Sequence, residues 1–189
     1  VLTEAERLNR YVQNLLDMTR LGYGALQPRL DWVELPDIVF AAIGRLRREL
    51  AHLQVRTDLP GDLPLVRLDP VLIEQVLVNL LDNACKHARS TIAIDARTSG
   101  PRLTVRVSDD GPGISEAERG RVFDMFYRAR QGDGAPGTGL GLSICRGLIE
   151  AHGGTIAALA GPDGSGTTIE IDLPLPEREG AHNRAGEAA

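Results

Sequence analysis

Gln75, Asn79, Asn83 and Lys86 follow one another at steps of four, four and three residues. On an α-helix that spacing stacks three carboxamides and one ammonium along a single face. Asn is a weak helix former, and packing gives no reason for two of them one turn apart. A solvated face is one reading of the row. The other is chemical: amide oxygens hold a hydrated cation while Lys86 meets a phosphate. Lys86 is the only lysine in the chain, every other cationic side chain of the Lys/Arg pair being Arg. That choice favours a compact point charge over a planar fork.

Two further stretches carry chemistry. Asp109-Asp110-Gly111-Pro112-Gly113-Ile114 follows an alternating strand pattern. Its glycines permit close approach to a flat ligand, and a carboxylate there can accept a hydrogen bond from an exocyclic amine. Gly137-Thr138-Gly139-Leu140-Gly141-Leu142 leads straight into a helical pattern. Successive N–H groups at a helix start form an anion cradle. A dinucleotide fingerprint is excluded because Leu142 occupies the position of its third glycine. A P-loop is excluded because the lone lysine follows Cys85.

The elements that must position these groups are legible in outline. Residues 69–87 read as a helix with Asp69 as N-cap and Pro70 at the first turn. Ile73, Val76, Leu77, Leu80, Leu81 and Ala84 form its apolar stripe. Residues 1–21 carry a second amphipathic pattern (Leu8, Val12, Leu15, Leu16, Thr19) that needs a partner helix, and 22–29 read as a linker. A short strand at 30–35 precedes a helix from Pro36 to about Ala51, with Val39, Phe40, Ile43, Leu46 and Leu50 on its apolar face. Strands are expected at 54–59, 64–68, 90–97, 102–109, 155–160 and 167–173. Ser115 to Glu118 has the capping-box pattern, and a helix from about Leu140 to His152 stops at Gly153-Gly154. Residues 128–138 form a polar loop, and 175–189 a polar tail expected to be disordered. Helices interleaved with mostly hairpin-linked strands predict an α+β two-layer sandwich, a mixed, mainly antiparallel sheet with helices on one face.

The net charge of −5 and pI near 5.4 argue against a general nucleic-acid binder. Cys85 and Cys145 lie far apart inside helical patterns, without metal-ligand spacing, as expected of buried thiols in a reducing compartment. No apolar run approaches the ~20 residues that span a bilayer, and no signal peptide is read. The chain begins at Val1 and is expected to be a fragment of a longer protein.

The three stretches, in this order and at these distances over residues 30–174, resemble the ATP-binding (Bergerat) fold of histidine kinases, gyrase-type topoisomerases, heat-shock chaperones and mismatch-repair ATPases. Members that hydrolyse ATP carry a Glu general base four residues before the inner Asn. Here that position is Asn79, and Glu74 is directed elsewhere on the helix. Asn79 with Asn83-Ala84-Cys85-Lys86-His87 is therefore similar to the asparagine box of sensor histidine kinases. Asp109 to Gly113 and Gly137 to Leu142 resemble their glycine boxes, and Phe123-Asp124-Met125-Phe126 their phenylalanine box. Arg7 to Leu21, Phe123 to Phe126 and Gly139 to Arg146 are closest in pattern to KdpD-type potassium and osmotic sensor kinases. Met125 departs from the proline common at that position.

The resemblance implies a catalytic domain that binds ATP and Mg²⁺, preceded by the second helix of a dimerisation bundle. Asn79 and Asn83 would carry the metal and Lys86 would neutralise phosphate, with Asn79 and Lys86 as catalytic positions. His87 would contact phosphate or flank the site. Asp109 would fix adenine, supported by Thr167, with Gly111, Gly113 and Ile114 shaping that end. Arg128, Gly137, Thr138, Gly139, Leu140, Gly141 and Leu142 would enclose the phosphates. The phosphorylated histidine would lie outside this chain, since His52, His87, His152 and His182 all lack the expected context. The implied partners are the histidine-bearing remainder of the same kinase, as a homodimer, and a response regulator. The implied location is the cytoplasmic side of a membrane-anchored protein.

Overall fold

The computed structural model describes residues 26–127 and 139–175. The amphipathic stretch 1–21, the first half of the linker, the 128–138 loop and nearly all of the tail lie outside them.

The main sheet has five strands in the order β2 (Gln54–Asp58), β4 (Thr91–Ser99), β5 (Arg102–Asp109), β7 (Thr167–Pro174) and β6 (Thr155–Ala160). Only the β2–β4 pair is parallel. Strand β3 (Val66–Leu68) instead pairs with β1 (Asp31–Val33) in a separate antiparallel ribbon. The expected strands at 54–59 and 64–68 are thus neighbours in sequence but belong to different sheets.

Alternation decides the faces of the sheet. Ile92, Ile94 and Ala96 on β4, Leu103, Val105 and Val107 on β5, and Ile169, Ile171 and Leu173 on β7 are all buried. The opposite face carries Arg97, Arg106, Glu170 and Asp172 in cross-strand ion pairs. Helices α1 (Leu35–Arg45), α2 (Pro70–His87) and α4 (Gly141–Ala151) complete the layer that buries this core, and α3 (Glu116–Arg119) is a single turn.

The whole predicted stripe of α2 is buried at 4% exposure or less. Each such aliphatic side chain contributes about 1.5–3 kcal/mol, so burial outweighs the cap in fixing the helix. The cap is present nonetheless: Asp69 Oδ1 accepts from the Val71 and Leu72 N–H groups. Its Oδ2 accepts from the Arg29 N–H at 2.8 Å, tying the incoming chain to the helix start.

Three expectations need correction. The helix expected to reach Ala51 ends at Arg45 and resumes only as a 3₁₀ turn, Glu49–His52, which still buries Leu46 and Leu50. Phe40 is 55% exposed, because it lies about 100° round α1 from the buried Val39. The capping box is realised between side chains: Ser115 Oγ donates to Glu118 and accepts no N–H from the helix backbone.

Candidate functional site

Helices α2 and α4 run antiparallel, joined where one begins and the other ends. His152, the C-cap of α4, accepts at Nε2 from the Asp69 N–H (3.1 Å). Its Nδ1 therefore carries the proton and donates to the Leu148 carbonyl at 2.7 Å. Counting 1.5 Å per residue from that tie, Gly141 stands roughly 16 Å along α4, level with about position 80 of α2. The 3.8 Å approach of Cys145 Sγ to the Val76 carbonyl fits the same register. Helix geometry thus brings the glycines that start α4 alongside the Asn79–Asn83 turn.

Asn79 is 9% exposed and, among the described residues, its amide nitrogen meets no hydrogen-bond partner of normal geometry. A buried amide left unmatched by protein groups is costly unless a ligand completes it. Burial pushes the neighbouring Cys145 thiol up to about 12, against the opposing influence of the Asn79 side chain beside it. Both cysteines are free, Cys145 buried and Cys85 half-buried. Asn83 and Gln75 are half-buried. Lys86 Nζ donates to Asp82 Oδ2 at 2.6 Å, one turn back along α2. Glu74 pairs with Arg45 of α1, away from the amide row.

The far end of the row meets the strand-end turn. A Cβ at Gly111 would lie 2.4 Å from the His87 carbonyl oxygen and 2.7 Å from Asp109 Oδ1, so only glycine fits. Asp109 is 8% exposed, and Oδ1 accepts from the Gly111 N–H at 2.8 Å. Burial raises its pKa above the usual carboxylate value, against the opposing influence of the Gly111 and Thr167 main chain. Thr167, also buried, is its cross-strand neighbour on β7. Gly113 faces Gly166, whose own Cβ would fall 1.9 Å from the Asp109 carbonyl oxygen. Ile114 is half-buried against the core.

At the other glycine stretch, Gly139 has φ +71° and its carbonyl accepts from the Phe126 N–H at 3.1 Å. Leu140 is buried and Leu142 half-buried on the core. Phe123 anchors the adjoining Phe-Asp-Met-Phe segment at 4% exposure, whereas Met125 and Phe126 project outward. Arg128, Gly137 and Thr138 lie outside the described residues, so the structure does not test their placement. His52 is exposed at the end of the 3₁₀ turn, whose Glu49 carbonyl accepts from the Cys85 thiol of α2 at 3.2 Å. His182 is outside the described residues.

Three residues escaped the sequence reading. Asp82 is the first, visible only through its i,i+4 spacing to Lys86. Asp110 is the second: it accepts from the Arg89 and Ser90 N–H groups and the Ser90 hydroxyl, latching the α2–β4 loop to the end of β5. These bonds, the Ser90 hydroxyl foremost, hold its carboxyl well below the usual range. Gly166 is the third, and its contact partner is 57 positions away in sequence (166 − 109), beyond any local signal. A separate groove of about 680 Å³ lies on the opposite face of the sheet, beside Arg97, Arg106, Ser108 and Thr168. The three sheet arginines that line it, Arg56, Arg97 and Arg106, are already bonded, to Gln54, Asp58 and Glu170.

Helices stacked on one face of a mixed sheet are shared with solved kinase structures. The chain matches Acinetobacter baumannii histidine kinase AdeS with a TM-score of 0.76 and 25% identity, covering 92% of this chain and 81% of that one. It matches full-length ShkA, solved in complex with AMPPNP, with a TM-score of 0.79 and 25% identity, covering 92% of this chain and 37% of that one. Residues 68–177 match the family described as histidine kinase-, DNA gyrase B-, and HSP90-like ATPase, and the chain belongs to it. Sensor protein KdpD of Escherichia coli (strain K12) is 39% identical over 178 residues, 92% of this chain and 20% of that protein. The chain thus spans about a fifth of that relative's length.

Proposed function

We propose that this chain is the catalytic part of a two-component sensor histidine kinase, transferring the γ-phosphate of ATP to a histidine on another part of the same protein. The observation that carries the reading is the convergence of the amide row of α2, the strand-end Asp109 and the glycines before α4. Asn79 in place of a general-base carboxylate favours transfer to a waiting imidazole over hydrolysis. The KdpD relative bears the name sensor protein, and ShkA was solved with a nucleotide analogue.

In this reading Asp109 and Thr167 hold the adenine, with Gly111, Gly113 and Ile114 shaping the slot. Asn79, Asn83, Lys86 and His87 face the phosphates, with Gly139, Leu140, Gly141 and Leu142 opposite. Arg128, Gly137 and Thr138 belong to the same enclosure. The donor set suits a hard cation: carboxamide oxygens on α2 beside the Asp82 carboxylate, while the Asn79 Nδ2, an N–H donor unmatched among the described residues, suits a phosphate oxygen. Asn79 and Asn83 would hold Mg²⁺, which would supply positive charge against the negative charge developing during transfer. The protein's own contribution is positioning and charge stabilisation, while the acceptor histidine supplies the nucleophile.

Residues 1–21 then form the second helix of the dimerisation bundle, 22–29 its linker, 30–174 the catalytic domain and 175–189 a tail. The homodimeric remainder of the kinase and a response regulator are its protein partners. Among the described residues no helix is long and apolar enough to cross a membrane. A cytoplasmic position beneath a membrane anchor elsewhere in the protein accords with that. Calorimetric titration with ATP and Mg²⁺, followed by incubation with labelled ATP and a histidine-bearing helix fragment, tests the reading. Saturable binding and an acid-labile phosphate on the fragment are expected. Steady release of free phosphate by the chain alone would favour an ATPase switch instead. Bound nucleotide without any transfer would leave a binding module.

A further inference from the structure

Asp82 lies about 60° round α2 from Asn79 and about 40° from Lys86, so it shares their side of the helix. Its carboxylate holds the Lys86 ammonium at 2.6 Å, with the two side chains 24% and 34% exposed. A pair this open to water adds little to stability. On a face that receives a triphosphate, however, the carboxylate has a cost: it occupies the lysine and repels the incoming anion.

We infer that Asp82 makes nucleotide binding conditional on a divalent cation. It keeps Lys86 from a bare triphosphate and adds its own repulsion, whereas a hydrated cation arriving with the nucleotide is attracted to the same charge. This rests on the nucleotide reading of the site and names the residue that would impose metal dependence within it. Asp82 is a positioning residue, acting through Lys86 and through its field.

The test is calorimetric titration of the full chain with ATP in excess Mg²⁺ and with ATP in EDTA, for the native sequence, Asp82→Asn and Asp82→Glu. In Asp82→Asn, metal-free ATP should bind about tenfold more tightly while Mg–ATP affinity changes by less than about threefold, so the metal dependence shrinks. Asp82→Glu should retain the native ratio. An unchanged ratio in Asp82→Asn overturns the inference, as does Asp82→Glu behaving like Asp82→Asn. A native chain that binds ATP in neither buffer overturns the nucleotide reading itself, and this inference with it.

Discussion

Asp109 and Thr167 face each other directly across the β5–β7 ladder, both buried, at the strand ends nearest the close of α2. The pairing places a carboxylate and a hydroxyl side by side on the inner face of the sheet, where every other cross-strand neighbour on these two strands is aliphatic.

Replacing Asp109 by Asn should separate binding from stability. The carboxylate has acceptor positions for the Gly111 N–H and for an adenine amine, whereas Asn turns one side into a donor. Losing a hydrogen bond to a charged group costs about 1.5–3 kcal/mol, so ATP affinity should fall roughly tenfold to hundredfold by calorimetry. The fold should be as stable as before or more so. Because burial raises the Asp109 pKa, the folded state holds this proton more tightly than the unfolded chain. Its ionisation therefore erodes stability as pH climbs from about 3.9 through the raised folded value. Thermal unfolding across that window should show the slope in the native chain and lose it in Asp109→Asn.

Asp110 should behave in the opposite sense. Its carboxyl is held low by the Ser90 hydroxyl and the loop N–H groups, so its contribution is complete above the ordinary carboxylate pKa of about 3.9. Acidification through that value toward the lowered folded one protonates it and removes the contribution. Asp110→Ala should speed amide exchange at Arg89 and Ser90 near neutral pH and raise the pH of acid unfolding.

Gly164 and Gly166 separate strain from overlap. Both have φ near +75°, but a Cβ at Gly164 meets open space while one at Gly166 meets the Asp109 carbonyl. Gly164→Ala should cost about 1–2 kcal/mol, the price of a left-handed alanine. Gly166→Ala should cost at least about 2 kcal/mol more in urea unfolding, and should weaken ATP binding by displacing Asp109.

His152→Ala should destabilise without touching affinity. It orphans the Asp69 N–H at the start of α2 and opens space in the core, together about 3 kcal/mol. Denaturant titration should report the loss, while ATP affinity per folded molecule stays within about twofold.

The helix that carries the amide row was readable because its signals are local: Asp69 and Pro70 mark its start, and six apolar residues recur at one period. Hairpins β4–β5 and β6–β7 were readable from alternation and turn residues. The β1–β3 pairing was not, since nothing within residues 54–68 says that one strand leaves the main sheet. Phe40 shows the limit of periodicity, because a stripe has edges and only tertiary packing decides which edge is covered. For the site, the row and the two glycine stretches were visible as chemistry. The latch at Asp110 and the clearance at Gly166 exist only once distant segments touch.

The bond between His152 and Asp69 also limits how the two site-bearing helices can move. It fastens them at the end remote from the glycines, as a rivet joins the arms of a pair of tongs. Sliding of one helix past the other would shear that bond, whereas splaying leaves it whole and widens the jaws where the nucleotide would lie. A ligand admitted by such splaying would leave the register set at Asp69 and His152 in place.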